Sequence, residues 1–288
     1  KPEPRNPKPE TRTPLLPFSC SLFVVILALT GCGRAEPQAV PVNPPPVVAG
    51  DGLALATRVV ERSGSATTVS ATLVVRFQEP GEEAMNLSLS LWSPADGRVR
   101  LSAHKVGVSG VEALIEADGT FAAVDREGRV IRDTLGTVLS DLLGPGAAPV
   151  RLVEEIKAGP LPYAATYERT ADGLACTDPA SGLRCLVTVA HDQVTAKTWL
   201  KADGSPALRI DYAADKAFDQ LRRPSRWTIT VPDWNGTCIA RLQDLRILPQ
   251  ISDERMSLDL PEGPAVDWAT YSGSDRPTSG VRRPTSTE

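Results

Sequence analysis

The chain has 288 residues, a formal net charge of −4 and 26 prolines. That balance supplies no basic field for neutralising nucleic-acid phosphates, and two histidines leave little material for a zinc site or a histidine-based triad. Eleven prolines fall in residues 1–50 and four in 261–288, so the sequence predicts two unstructured ends around one folded body, large enough to bury a core.

Taken in chain order, residues 18–29 form an uncharged, mostly apolar run of 12, preceded by Lys1, Arg5, Lys8 and Arg12. A membrane-spanning helix needs about 20 such residues, so the run reads as the apolar region of a secretory signal. Leu29, Thr30, Gly31 and Cys32 follow. They resemble the lipobox of bacterial lipoproteins, which implies removal of residues 1–31 and acylation of Cys32 by palmitate-type chains. Gly33 after the cysteine implies the outer membrane, with the body facing the periplasm. An ordinary cleaved signal with a chance cysteine is the alternative. Residues 32–50, with Pro37, Pro41 and Pro44-Pro45-Pro46, form neither helix nor central strand. They read as a polyproline-like tether rising about 3.1 Å per residue.

Residues 51–263 form the expected body. Asp51 is placed to cap a helix over 53–63, on which Leu55, Val59 and Arg62 share helical spacing. Asp-Gly pairs at 51–52, 96–97, 118–119, 172–173 and 203–204, with Glu127-Gly128 and Asn235-Gly236, signal turns between alternating runs. Those runs predict strands over 70–78, 85–92, 98–103, 111–117, 120–125 and 129–133. A second series is expected over 163–169, 183–190, 194–201, 206–213, 226–232 and 237–248. Between the series, Thr134 caps a helix with the stripe Leu135, Val138, Leu139 and Leu142, and 150–158 gives another carrying Leu152, Val153 and Ile156. The fold class is mainly β (α+β). About eleven antiparallel strands curl into a strongly curved sheet or incomplete barrel, with helices over its concave face. Residues 264–288 are expected to trail as a disordered tail.

This order of elements, with Leu73-Val74-Val75-Arg76-Phe77-Gln78, Arg98-Val99-Arg100-Leu101, Leu114-Ile115-Glu116-Ala117-Asp118-Gly119 and Ile251-Ser252-Asp253-Glu254-Arg255-Met256, resembles the periplasmic lipoprotein carrier and receptor proteins, LolA and LolB. Met256 and Gln250 stand where that family pattern has phenylalanine and asparagine. The resemblance implies a cavity for acyl chains or lipidated proteins beneath the helices. Alternation assigns its lining to Leu73, Val75, Phe77, Met85, Leu87, Leu89, Leu91, Val99, Leu101, Ile115 and Phe121. The cover would carry Leu135, Val138, Leu139, Leu142, Leu152 and Ile156. By the same resemblance, the loop His104–Gly110 could present Val106 or Val108 as an exposed apolar residue. The alternative is that the same side chains fill an ordinary core, and that the protein is an envelope interaction, regulatory or scaffold protein.

No nucleophile–base spacing, phosphate loop or metal-ligand motif is present, so neither an enzyme nor a cofactor nor a metal is expected, and a monomer is. His104 and His191 read as surface or loop-edge residues, and Glu82-Glu83 and Glu154-Glu155 as solvated charge. Cys176 and Cys185 flank a turn-rich link and are the expected disulfide, leaving Cys238 free; three pairings are possible.

Overall fold

The computed structural model describes residues 51–78, 83–105, 108–125, 127–135, 137–138, 152–162, 164, 166–178, 182–232 and 237–273. The signal, lipobox and tether, including Leu29, Thr30, Gly31 and Cys32, lie outside them, as do Leu139 and Leu142. Among the described residues no helix is long and apolar enough to cross a membrane.

Helix α1 (Asp51–Ser63) precedes the first meander: β1 (Val69–Gln78), β2 (Met85–Ser93), β3 (Val99–Lys105), β4 (Val108–Ile115), β5 (Thr120–Val124) and β6 (Val130–Thr134). Helix α2 (Leu152–Ala158) separates it from β7 (Glu168–Thr170), β8 (Gly173–Thr177), β9 (Arg184–Ala190), β10 (Gln193–Leu200), β11 (Pro206–Phe218), β12 (Leu221–Thr230) and β13 (Thr237–Ile247). Two short helices follow, α3 (Asp253–Met256) and α4 (Trp268–Gly273). All thirteen strands belong to one antiparallel sheet, ordered β6-β5-β4-β3-β2-β1-β13-β12-β11-β10-β9-β8-β7. The long-range pair β1–β13 welds the two meanders together, and β6 and β7 remain as edges, so the sheet is curved and not closed.

Turn chemistry sets the register as the sequence predicts. Asp96, Asp118 and Asp203 each accept a hydrogen bond from the backbone N–H two residues on, at 3.0, 2.8 and 2.9 Å. Bulges after Thr72, Ala103, Val194 and Trp199 bend the strands. Alternation then places Leu73, Leu89 and Ala103, on three adjacent strands, side by side on the inner face.

Four features differ from the sequence reading. Asp51-Gly52 opens α1 rather than forming a turn. Strand β8 is absent from the predicted series because Gly173, Leu174, Ala175 and Cys176 are all buried, so the segment shows no alternation. The β11–β12 hairpin runs to Phe218 and Leu221, through a charged stretch with Pro224 that reads as a break. Ala214 has φ 57°, and the register runs on unshifted, with Pro224 opposite Asp215. Val108 pairs with Lys105 at the start of β4 instead of sitting in a loop; Val106 lies outside the described residues.

Residues 264–273, assigned from composition to the tail, are held on the body. Val266 bridges Ile131 in parallel, exchanging hydrogen bonds with Val130 and Arg132 at 2.9 Å, and so covers the β6 edge. Trp268 is 1% exposed, and its backbone N–H donates to the Asp133 carboxylate at 3.1 Å. On the way there the chain crosses the outer face at α3, where Met256 is buried and Arg100 donates to the Arg255 carbonyl at 2.7 Å.

Candidate functional site

The inner face was the expected ligand surface. Leu73, Val75, Phe77, Leu87, Leu89, Leu91, Val99, Leu101, Ile115 and Phe121 are between 0 and 3% exposed, and Met85 packs partly buried against them. Leu135, Val138, Leu152 and Ile156 join the same continuous cluster. A chamber of acyl-chain size would leave far more accessible surface than this on the side chains lining it, so none lies against these described residues in this conformation.

Helix α2 crosses the inner face as expected, but polar groups fix it there. Glu154 is exposed, whereas Glu155 is 3% exposed, which corrects its reading as surface charge. The helical turn of about 100° per residue sends one carboxylate to solvent and the next into the sheet. Glu155 pairs with the buried ammonium of Lys197 on β10. It also accepts from the Tyr212 hydroxyl at 3.0 Å to both oxygens, and from Trp227 Nε1 at 3.0 Å. At the helix end, Lys157 Nζ donates to Pro94 O at 2.9 Å, reaching the β2–β3 turn.

Arg223, on β12 and 0% exposed, binds where α1 and α2 end. Its guanidinium donates to Ile156 O (2.8 Å), Lys157 O (2.7 Å), Gly64 O (3.1 Å) and Ser63 O. The last carbonyls of a helix have no partner within it and form the negative end of its dipole. One buried arginine thus caps two helices. The caps meet closely: Gly159 has φ 91°, and a Cβ there would lie 2.7 Å from Ser63 Cβ. Burial lowers the Arg223 pKa to about 10, which leaves it charged at neutral pH.

Burial, and then the neighbouring Glu155 carboxylate, raise the Tyr212 phenol well above its usual value near 10. A phenol raised in the folded state contributes stability that is complete below the unfolded value and is lost as pH rises above it. Above pH 10 the wild type is expected to lose about 1.4 kcal/mol per pH unit more than Tyr212→Phe. Urea titrations of both proteins between pH 8 and 11 would measure that; parallel profiles would refute it.

Cys176 and Cys185 stand directly opposite each other across β8–β9, but both are free thiols, so the expected bridge is not formed. They are 5% and 0% exposed, shut away from the solvent-borne partners that thiol exchange requires. The facing Cys185 thiol lowers that of Cys176, Cys176 and burial raise that of Cys185, and Lys197 favours the Cys176 thiolate further. Burial pushes Cys238 up to about 12.

Elsewhere the geometry offers little for chemistry. A cleft of about 70 Å³ lies between the end of α1, the β9–β10 turn and the β11–β12 hairpin, far below the roughly 300–1,000 Å³ of small-molecule sites. Its central acid, Asp215, is taken up by Gln193 (2.6 Å) and Arg222 (2.9 Å). His104 is exposed, and its Nε2 lies 2.6 Å from Ser102 Oγ on the same strand, a partner two residues away that the sequence reading passed over. Glu112, across from Ser102, is committed to Arg100 at 2.7 Å. Among the described residues no group of three His, Cys, Asp or Glu side chains could hold a metal ion.

Comparison with solved structures then decides the architecture. A LolA superfamily protein from Nitrosomonas europaea matches 73% of this chain and 99% of its own, with a TM-score of 0.52 and 12% identity. The fold is LolA-like. A DUF1329 family protein from Desulfovibrio piger matches 72% of this chain and 95% of its own, with a TM-score of 0.51 and 13% identity. No family model matches the chain, and no curated protein does. At these identities the LolA-like likeness is one of fold, and function has to be argued from the residues.

Proposed function

We propose that the chain is an envelope protein acylated at Cys32 and held by residues 32–50 near the outer membrane, facing the periplasm. Its LolA-like body acts through contacts made by its surface, without chemistry. The observation that carries this reading is the filled inner face. Leu89, Ile115 and Phe121 on the first meander are 0% exposed, and over the second meander α2 is tied down by Glu155 and Arg223. Moving α2 away from the sheet would break charged hydrogen bonds inside the protein, a change of several kcal/mol.

A second reading keeps a carrier or receptor for acyl chains or lipidated proteins, with Leu73, Leu89 and Leu101 in the lining. It is supported by the LolA-like fold, which this chain shares over nearly the whole length of the Nitrosomonas europaea structure.

One experiment separates them. The Cys32→Ala chain is expected in the soluble rather than the membrane fraction, and native mass spectrometry of it without detergent should give the bare protein mass. Unchanged fractionation would reject acylation. A stoichiometric lipid adduct, abolished by Leu89→Trp, would replace the surface reading with the carrier.

A further inference from the structure

The outer face of the sheet carries an arrangement that works against the fold. Arg226 on β12 stands directly opposite Arg241 on β13. Arg241 is in turn opposite Val74 on β1, and Arg76 lies two residues along the same strand. Like charges directly opposed across antiparallel strands destabilise the pair.

All three arginines are exposed. Several other exposed arginines of this sheet are neutralised by a near neighbour, Arg209 by Asp211, Arg246 by Asp244 and Arg222 by Asp215, while Arg132 on β6 and Arg169 on β7 are exposed on separate strands far along the sheet from this group. Among the described residues, Arg76, Arg226 and Arg241 make no ion pair and no side-chain hydrogen bond. The acid diagonal to Arg226, Asp211, is engaged by Arg209 at 2.6 Å.

Strand spacing and the diagonal offset place the three side-chain origins within about 12 Å of one another. The residues interleaved with them are Asn86, Ser88, Thr228 and the half-buried Val74 and Ile239. No aromatic anchor stands among them, and such anchors dominate protein–protein hot spots. Planar guanidinium groups with small hydroxyl and amide neighbours suit phosphate oxygens, which arginine binds bidentately. The net charge of −4 places the surplus of acid elsewhere, so a negative surface would meet this face in preference to others.

We propose that Arg76, Arg226 and Arg241 dock the outer face of the sheet onto the phosphate groups of an anionic lipid surface. Delivery to that surface rests on the reading of Cys32 as an acylated anchor, which raises the local concentration; the attraction itself does not need the anchor.

The test uses the full chain carrying Cys32→Ala, so that anchor and patch are read separately. The protein is sedimented with vesicles of phosphatidylethanolamine and phosphatidylglycerol, and with vesicles of phosphatidylethanolamine and phosphatidylcholine. Binding is expected only to the phosphatidylglycerol vesicles and should weaken as salt rises. Each arginine removed should cost about fivefold in partition, so Arg76→Ser, Arg226→Thr and Arg241→Thr together should cost about a hundredfold. That triple variant should melt no lower than wild type, because an opposed like-charge pair has gone, whereas a merely structural role would lower the melting temperature. The triple lysine variant, R76K/R226K/R241K, should still bind. Wild-type protein that ignores the phosphatidylglycerol vesicles, as it would if the face served an acidic protein, overturns the proposal. So does a neutral triple variant that sediments like wild type.

Discussion

Replacing Arg223 with leucine is expected to destabilise the body by about 3–5 kcal/mol, as removal of one partner from a buried charged cluster does. Leucine keeps only the apolar stem, and the gap left by the guanidinium adds a packing loss. The remaining loss comes from the carbonyls of Ser63, Gly64, Ile156 and Lys157, which face the guanidinium. An unsatisfied buried acceptor costs about 1–3 kcal/mol. Water entering the gap would recover part of that, which keeps the total below the sum. Domains commonly have about 5–15 kcal/mol of stability, so the variant should sit close to unfolding. Arg223→Lys should recover only part, since an ammonium keeps the charge but not the planar fork that reaches two helix ends. Urea unfolding measures the loss, and amide exchange should show it first in 51–64 and 152–158. A variant within 1 kcal/mol of wild type would contradict the double cap.

The second large effect belongs to Glu155. In Glu155→Gln the shape stays and an acceptor remains for Tyr212 and Trp227, but the 2%-exposed Lys197 loses its counter-charge. The expected loss is again about 3–5 kcal/mol. The informative protein is the double variant Glu155→Gln/Lys197→Met, which removes both charges together. It should be more stable than Glu155→Gln alone, with a coupling of about 1–3 kcal/mol in the double-mutant cycle. Additive losses would mean that Lys197 does not depend on Glu155. Such a pair is weak evidence for stability in itself, since desolvation offsets much of the attraction. Its role is positional: it fixes which face of α2 meets the sheet.

These residues also mark the limit of what was legible along the chain. Period-two alternation and Asp-Gly turns are local signals, and they placed the strands of the first meander within a few residues of their observed ends. Where both sides of a segment are covered, as in β8, the alternation vanishes and with it the signal. Charged stretches were read as solvated because that is their usual state. Glu154 and Glu155 are adjacent and chemically alike, and only the packing of α2 sends one outward and the other to Lys197, 42 residues away. The stretch after Gly263 looked like tail because its composition is polar, yet Trp268 closes against Asp133 across 135 residues.

The amino-acid order by itself determined the fold class, the inner apolar face and the turns, because each follows from neighbours within a few residues. Tertiary structure decided that the inner face is filled, that one arginine ends two helices, and that Arg76, Arg226 and Arg241 share one outer patch. Those are facts of register and packing between segments far apart in sequence, where burial and charge take their meaning from whatever the fold brings alongside.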